Sequence, residues 1–234
     1  MKRVVYAIMT AVVLMTLASC EKNPVPPVPP VVTEQLIFNT NEIGSGIQEF
    51  EVKTNHTIKK GVYVLKGWVY ITDGATLTIE AGTVIKGDKD TKAAIIVERG
   101  GKIIAQGTDD LPIVFTSNQP AGSRKPGDWG GIVICGKASN NKTEMIIEGG
   151  PRSKHGGNDD ADNSGVLSYV RVEFAGYPFK TDQEINGLTM GSVGSGTRLD
   201  HIQVSYSNDD SFEWFGGTAS AKYIVSYYGW DDDF

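Results

Sequence analysis

Two short acidic stretches late in the sequence hold the residues best suited to chemistry. Ser207-Asn208-Asp209-Asp210-Ser211-Phe212 aligns, 22 positions on, with Gly229-Trp230-Asp231-Asp232-Asp233-Phe234. If the two segments stack as neighbouring strand connections, roughly 4.8 Å apart, Asp209, Asp210, Asp231, Asp232 and Asp233 gather in one patch. Like charges held so close either raise their carboxyl pKa values or attract a cation. Ca²⁺ suits such a patch because it accepts roughly six to eight hard oxygen ligands in flexible geometry. Two other readings stand beside it. Asp and Asn also make turns by bonding local backbone, and clustered carboxylates can serve catalysis.

A second acidic candidate is Asp160-x-Asp162-x-Ser164-Gly165, within the polar loop from Gly156 to Gly165. It reproduces the first half of an EF-hand-type calcium loop. The closing bidentate acid is missing, because Arg171 occupies its place, so a solvated insertion loop is the competing reading. Aromatics form a third group. Trp214, Tyr227 and Trp230, beside carboxylates and amides, would suit sugar rings, whereas inward packing would leave the same pattern in sequence. Alternation puts Phe212 and Trp214 on one face and Glu213 and Phe215 on the other. His201 aligns with Tyr169 and Tyr223, which assigns it a structural role. There is no nucleophile elbow, P-loop, dinucleotide fingerprint or clustered Cys/His zinc site.

The elements that must carry these residues begin with an export signal. Lys2 and Arg3 precede an apolar run from Val4 to Leu17, too short to span a bilayer comfortably. Leu17-Ala18-Ser19-Cys20 then resembles the bacterial lipobox, which implies that residues 1–19 are a signal peptide and Cys20 is acylated. Residues 20–34 read as a tether, since Pro24-Val25-Pro26-Pro27-Val28-Pro29-Pro30 favours extended polyproline II. The membrane is therefore the first expected partner, and the expected location is the bacterial cell envelope, at the outer membrane or cell surface. Only Cys20 and Cys135 are present, so an acylated Cys20 leaves Cys135 as a small buried hydrophobe. A net charge of -6 argues against nucleic acid.

Beyond residue 34 the pattern is short β-rich runs closed by Gly, Asn or Asp, with 28 glycines in 234 residues punctuating the chain. Leu77 and Ile79, Ile95 and Val97, Ile113 and Phe115, then Ile132 and Ile134 follow at steps of 18, 18 and 19. Val84 and Ile85 precede Ile103 and Ile104 by 19, and Val170 and Val172 follow Ile132 and Ile134 by 38. Later, Leu167 to Phe174 matches Leu199 to Tyr206 after 32 residues and Ala221 to Tyr228 after 22 more. Such self-similarity marks a solenoid. The expectation is an all-β fold, a right-handed parallel β-helix over residues 61–234, preceded by a cap at 35–60. No terminal cap follows Phe234, so further turns are expected beyond it.

Gly74-Ala75-Thr76-Leu77-Thr78-Ile79-Glu80-Ala81-Gly82-Thr83-Val84-Ile85-Lys86-Gly87 resembles a family of bacterial surface β-helix proteins. So do Arg99 to Thr108, Pro112 to Ser117, and Gly127-Asp128-Trp129-Gly130-Gly131. The resemblance implies the pectate-lyase-like superfamily fold and a surface location. The leading functional expectation is a non-catalytic, membrane-anchored protein that presents a binding face to glycans, matrix or other surface proteins. One alternative is a calcium-assisted polysaccharide lyase or a glycoside hydrolase; a lyase would need Arg198 or Lys222 beside the acidic turns. The other is a purely structural surface component.

Overall fold

Thr76-Leu77-Thr78-Ile79 shows how this sequence builds a wall. Three of its four residues are β-branched, which favours extended backbone. Alternation buries Leu77 and Ile79 and leaves the threonines half-exposed. The computed structural model describes residues 41–46, 49–142, 144–149, 151–180 and 183–234; Cys20 and the tether lie outside them. All regular elements among these residues are strands, and none is a helix long and apolar enough to cross a membrane.

The strands come in threes. β1 (Glu42–Ile43), β2 (Phe50–Val52) and β3 (His56–Ile58) are followed by β4 (Val62–Leu65), β5 (Trp68–Ile71) and β6 (Thr76–Ile79). Then come β7 (Val84–Gly87), β8 (Ala94–Val97) and β9 (Lys102–Gln106), and next β10 (Ile113–Ser117) and β11 (Gly131–Cys135). Each pairs in parallel with its counterpart three strands away: β1-β4-β7-β10, β2-β5-β8-β11 and β3-β6-β9. The chain therefore winds as a parallel β-helix with three faces around a core of Leu, Ile, Val, Phe and Trp. Residues 42–58, within the segment expected to be a cap, already carry the same triad and pair with the turn that follows.

The 18–19-residue spacing is not the length of a turn. Leu77 pairs with Ile103, and Ile95 with Ile132, so stacked residues lie 26 and 37 positions apart. The regular track instead visits every second strand, β6, β8 and β10, which lie on three different faces. Val84 and Ile103 likewise belong to different faces, and Val170 stacks on Ile113, not on Ile132. All three faces obey one inward alternation, so hydrophobic pattern alone cannot tell them apart. The later spacings do report stacking: Leu199 pairs with Leu167, 32 positions earlier, and with Ala221, 22 positions later.

A change of design follows β11. A hairpin of β12 (Met145–Ile146) and β13 (Lys154–His155) intervenes before β14 (Gly165–Glu173), and β15 (Pro178–Lys180) and β16 (Gln183–Glu184) form another. Ile147 and Ile185, from these insertions, join Tyr70, Ala94, Ile96, Val133 and Cys135 in a second apolar cluster on the outside of the second face. Cys135 is the buried hydrophobe expected, its thiol pushed up to about 12 by burial. The face continues through β17 (Leu188–Val193) and β19 (Phe212–Gly217). β14 merges two faces into one strand, since its first half pairs with β9 and its second with β10. β18 (Arg198–Ser205) and β20 (Ala221–Tyr227) repeat this.

The Gly127-Asp128-Trp129-Gly130-Gly131 segment is a structural lock. Trp129 is fully buried, stacks on Phe115 with centroids 6.4 Å apart, and donates its indole N–H to the Glu173 carbonyl at 2.8 Å. Asp128 accepts from Lys89 (2.9 Å), Ser117 (2.6 Å) and the Lys125 amide (3.0 Å). Gly87 must be glycine, because a Cβ there would lie 2.5 Å from the Trp129 ring. Trp129→Ala is expected to cost ~3–5 kcal/mol, read as a lower urea midpoint.

Candidate functional site

The merged strands turn their corner at one residue. Tyr169, His201 and Tyr223 occupy equivalent places in β14, β18 and β20, all with left-handed backbone at φ 51, 51 and 55. Their neighbours pair in register on either side while they bulge out of the ladder. Side chains rarely accept this conformation, and here the three rings offset its cost by stacking. Tyr169 and His201 lie 4.3 Å apart and 6° from parallel, and His201 and Tyr223 lie 4.6 Å apart. Phe174, Tyr206 and Tyr228 repeat the device at the next corner, with φ 61, 57 and 55.

One turn earlier the same corner is made by the longer loop between β9 and β10. Shrinking a multi-residue corner to a single residue leaves a step, and the step is a groove of about 300 Å³. Thr108, Asp109 and Pro112 form one side of it, the aromatic ladder the other. Arg171, Gln203 and Val225, successive outward residues of the stacked strands, also line it. The rings cover one another's faces along the groove. Tyr223 completes the stack, its ring against that of His201.

His201 differs from its two neighbours in what precedes it. Its Nδ1–H donates to Asp200 Oδ1 at 2.8 Å, and Ser168 Oγ donates to the same oxygen at 2.6 Å. Arg198 Nε donates to Asp200 Oδ2 at 2.5 Å. Partial burial pushes the Asp200 carboxyl up, but the bonds from His201, Ser168 and Arg198 outweigh it and hold the group at about 2. No other bond to the imidazole is formed among the described residues.

The acidic turns stack as their alignment implies. Phe212 and Phe234 lie face to face at 5.5 Å, and the Trp230 amide donates to the Ser207 carbonyl. Carboxylate oxygens of Asp209, Asp210 and Asp231 approach within 4.8 Å of one another, a spacing that a cation would bridge. Asp232 contributes its amide to Asp210 Oδ1 (3.0 Å), and Asp233 accepts from Ser226 (2.5 Å). Burial raises Asp210, and the Asp232 and Asp231 charges raise it further against that amide bond. Asp160 and Asp162 do not join the group. Asp160 accepts from the Ser139 amide and hydroxyl (2.9 and 2.7 Å), and Asp162 from the Lys137 amide and Ser164. They staple the insertion loop to the helix.

The expected glycan platform is dispersed. Trp214 packs against the core and stacks on Phe212, as alternation requires. Tyr227 packs edge-on against Tyr206 and Tyr228, while Trp230 is 74% exposed in the turn after β20. No ring contact joins Trp214 to either among the described residues. Arg198 and Lys222 stand at the starts of β18 and β20, a strand's length from the acidic turns that follow those strands. Neither flanks the carboxylates as a lyase base would. The residues that do converge, in the groove, were signalled only by the 32- and 22-residue alignment that put His201 between two tyrosines.

The family described as "Pectate-lyase like beta helix domain" matches residues 50–234, and the chain belongs to it. The fold is thus the right-handed parallel β-helix expected. No curated protein and no solved structure shows significant similarity to the chain.

Glu213, beside the acidic turns, gives a measurable signature. Burial, with the Glu148, Asp210 and Asp209 charges, raises it to about 7 despite a bond donated by Asn186. The folded state therefore binds this proton more tightly than the unfolded chain, where the carboxyl titrates near 4.5. Its stabilising contribution is complete below that value and is lost as pH rises through about 7. Glu213→Gln should melt ~2–4 °C above the parent at alkaline pH, with no gain under acid conditions, in a thermal-melt series across pH.

Proposed function

We propose that this protein is a lipid-anchored bacterial surface β-helix that binds glycans in the groove beside Tyr169, His201 and Tyr223. The groove carries the reading. Sugars present apolar C–H faces and rings of hydroxyls, and they bind where an aromatic surface adjoins planar polar groups. Here the stacked rings of Tyr169, His201 and Tyr223 adjoin Asp109, Arg171 and Gln203, which offer acceptors and donors along one shallow trough. Its openness along the solenoid suits a chain more than an enclosed small molecule. The anchor rests on the Leu17-Ala18-Ser19-Cys20 motif and the proline-rich spacer, which together would hold the helix away from the bilayer. The spacing of the Asp209, Asp210 and Asp231 oxygens favours calcium as an accessory ion there.

A broad glycan array, probed with the full chain with and without calcium, tests the binding reading. Selective binding that Tyr223→Ala and Gln203→Ala each weaken ~10-fold, about 1.4 kcal/mol, supports it. An array with no selective signal, or binding indifferent to both substitutions, overturns it. A calcium-dependent rise in melting temperature that Asp210→Asn abolishes supports the ion. For the anchor, Cys20→Ser should shift the protein from the membrane to the soluble fraction of expressing cells, and unchanged fractionation would exclude acylation at Cys20.

A further inference from the structure

We propose that Asp200 and His201 form a water-activating dyad that hydrolyses ester groups on a ligand lying in this groove, making the protein a carbohydrate esterase. The inference rests on the glycan-binding reading of the groove and goes beyond the non-catalytic role expected from sequence.

The ladder by itself does not call for histidine at its middle rung. A tyrosine fills this rung in the turns on either side, and tyrosine stacks there equally well, so ring stacking does not require histidine. What distinguishes the middle rung is Asp200, where the flanking turns have Ser168 and Lys222. Asp200 is itself held by Ser168 and Arg198, which fixes its carboxylate against Nδ1. A carboxylate at Nδ1 sets the imidazole tautomer, leaving the Nε2 lone pair on the opposite edge of the ring as the acceptor. The ring is clamped between two others, lines the groove, and retains 38% of its side-chain exposure. An oriented, immobilised and solvent-accessible base is the requirement for general-base catalysis.

The surrounding groups select the reaction. Glycosidic cleavage uses two carboxylates about the scissile bond, whereas Asp109 is the one carboxylate among the groove's lining residues. A single imidazole beside a guanidinium suits addition of water to a carbonyl. Nε2 takes a proton from water as the water oxygen bonds to the acyl carbon. The carbonyl oxygen becomes an alkoxide stabilised by Arg171, a residue of the same groove whose guanidinium is paired with Glu173. Collapse breaks the bond to the sugar oxygen, and that oxygen receives the proton from Nε2. The products are a carboxylic acid and a free hydroxyl, and imidazole is regenerated without cofactor or redox change. His201 is the catalytic residue, and Asp200 is a positioning residue.

The test is acetate release from acetylated xylan by the full chain, with p-nitrophenyl acetate as a small ester that requires no glycan contact. His201→Tyr converts the middle rung to its neighbours' residue and so preserves the ladder. It should keep the parental melting temperature and lower kcat ~100-fold or more. Asp200→Asn should lower kcat by a similar factor with KM little changed, a split that a purely structural role would not produce. If the parent binds acetylated xylan but releases no acetate above buffer, the esterase inference fails and the glycan reading stands. His201→Tyr turning over at the parental rate also overturns it. Cleavage of p-nitrophenyl acetate that is lost in His201→Tyr, without binding to any glycan, would retain the dyad and reject the glycan ligand.

Discussion

Each wall strand between the first and last described turns is hydrogen-bonded to counterparts one turn before and one turn after, and the rest of the structure depends on that register. Parallel pairing admits no tight hairpin between partners, so the chain must travel round all three faces before meeting its own sheet again. Each inward residue then stacks on one from a neighbouring turn. Leu77 over Ile103 and Ile95 over Ile132 are instances. A slip of one residue would turn a whole column of Leu, Ile and Val outward, so corners can vary in length only if they return the chain to the same phase.

Corner length is consequently where this fold varies, and the groove is a product of that variation. The loop from β9 to β10 gives way to a one-residue corner at Tyr169, and the two later turns copy the shorter form. Three left-handed residues in a column would each be unfavourable alone. Stacked rings make the arrangement stable, and the same stacking immobilises His201. Positioning of a base and closure of a solenoid turn are thus served by one set of contacts.

The acidic turns obey the register too, with a different result. Stacking brings Asp209, Asp210 and Asp231 together because each turn repeats the last. Glu213 nearby is raised chiefly by burial, with the Glu148, Asp210 and Asp209 charges adding to it. The Arg152 cluster shows the opposite balance, with Glu49, Glu51 and Glu98 all paired to one guanidinium and Tyr70 beneath it. The second face is further protected on its outer side by the inserted hairpins, so that β11 is buried on both sides.

The all-β solenoid, the inward positions, the fate of Cys135 and the stacking of the last three merged strands were all readable from sequence. Each is local, set by alternation of hydrophobic residues or by alignment of closely similar segments. Turn length was not readable, because three faces with identical alternation produce a spacing of 18–19 residues that links strands which never touch. Nor could sequence decide which polar residues converge. Asp160 and Asp162 have the spacing of a calcium loop yet bond the Ser139 and Lys137 backbone. Trp214, Tyr227 and Trp230 have the composition of a sugar platform, yet among the described residues Trp214 stacks on Phe212 and makes no ring contact with the other two. Asp109 and His201 are separated by long stretches of chain and meet only because corner length changes between their turns. Periodicity records which way a side chain points; which partner it meets depends on how far the chain has wound, and only the closed turns determine that.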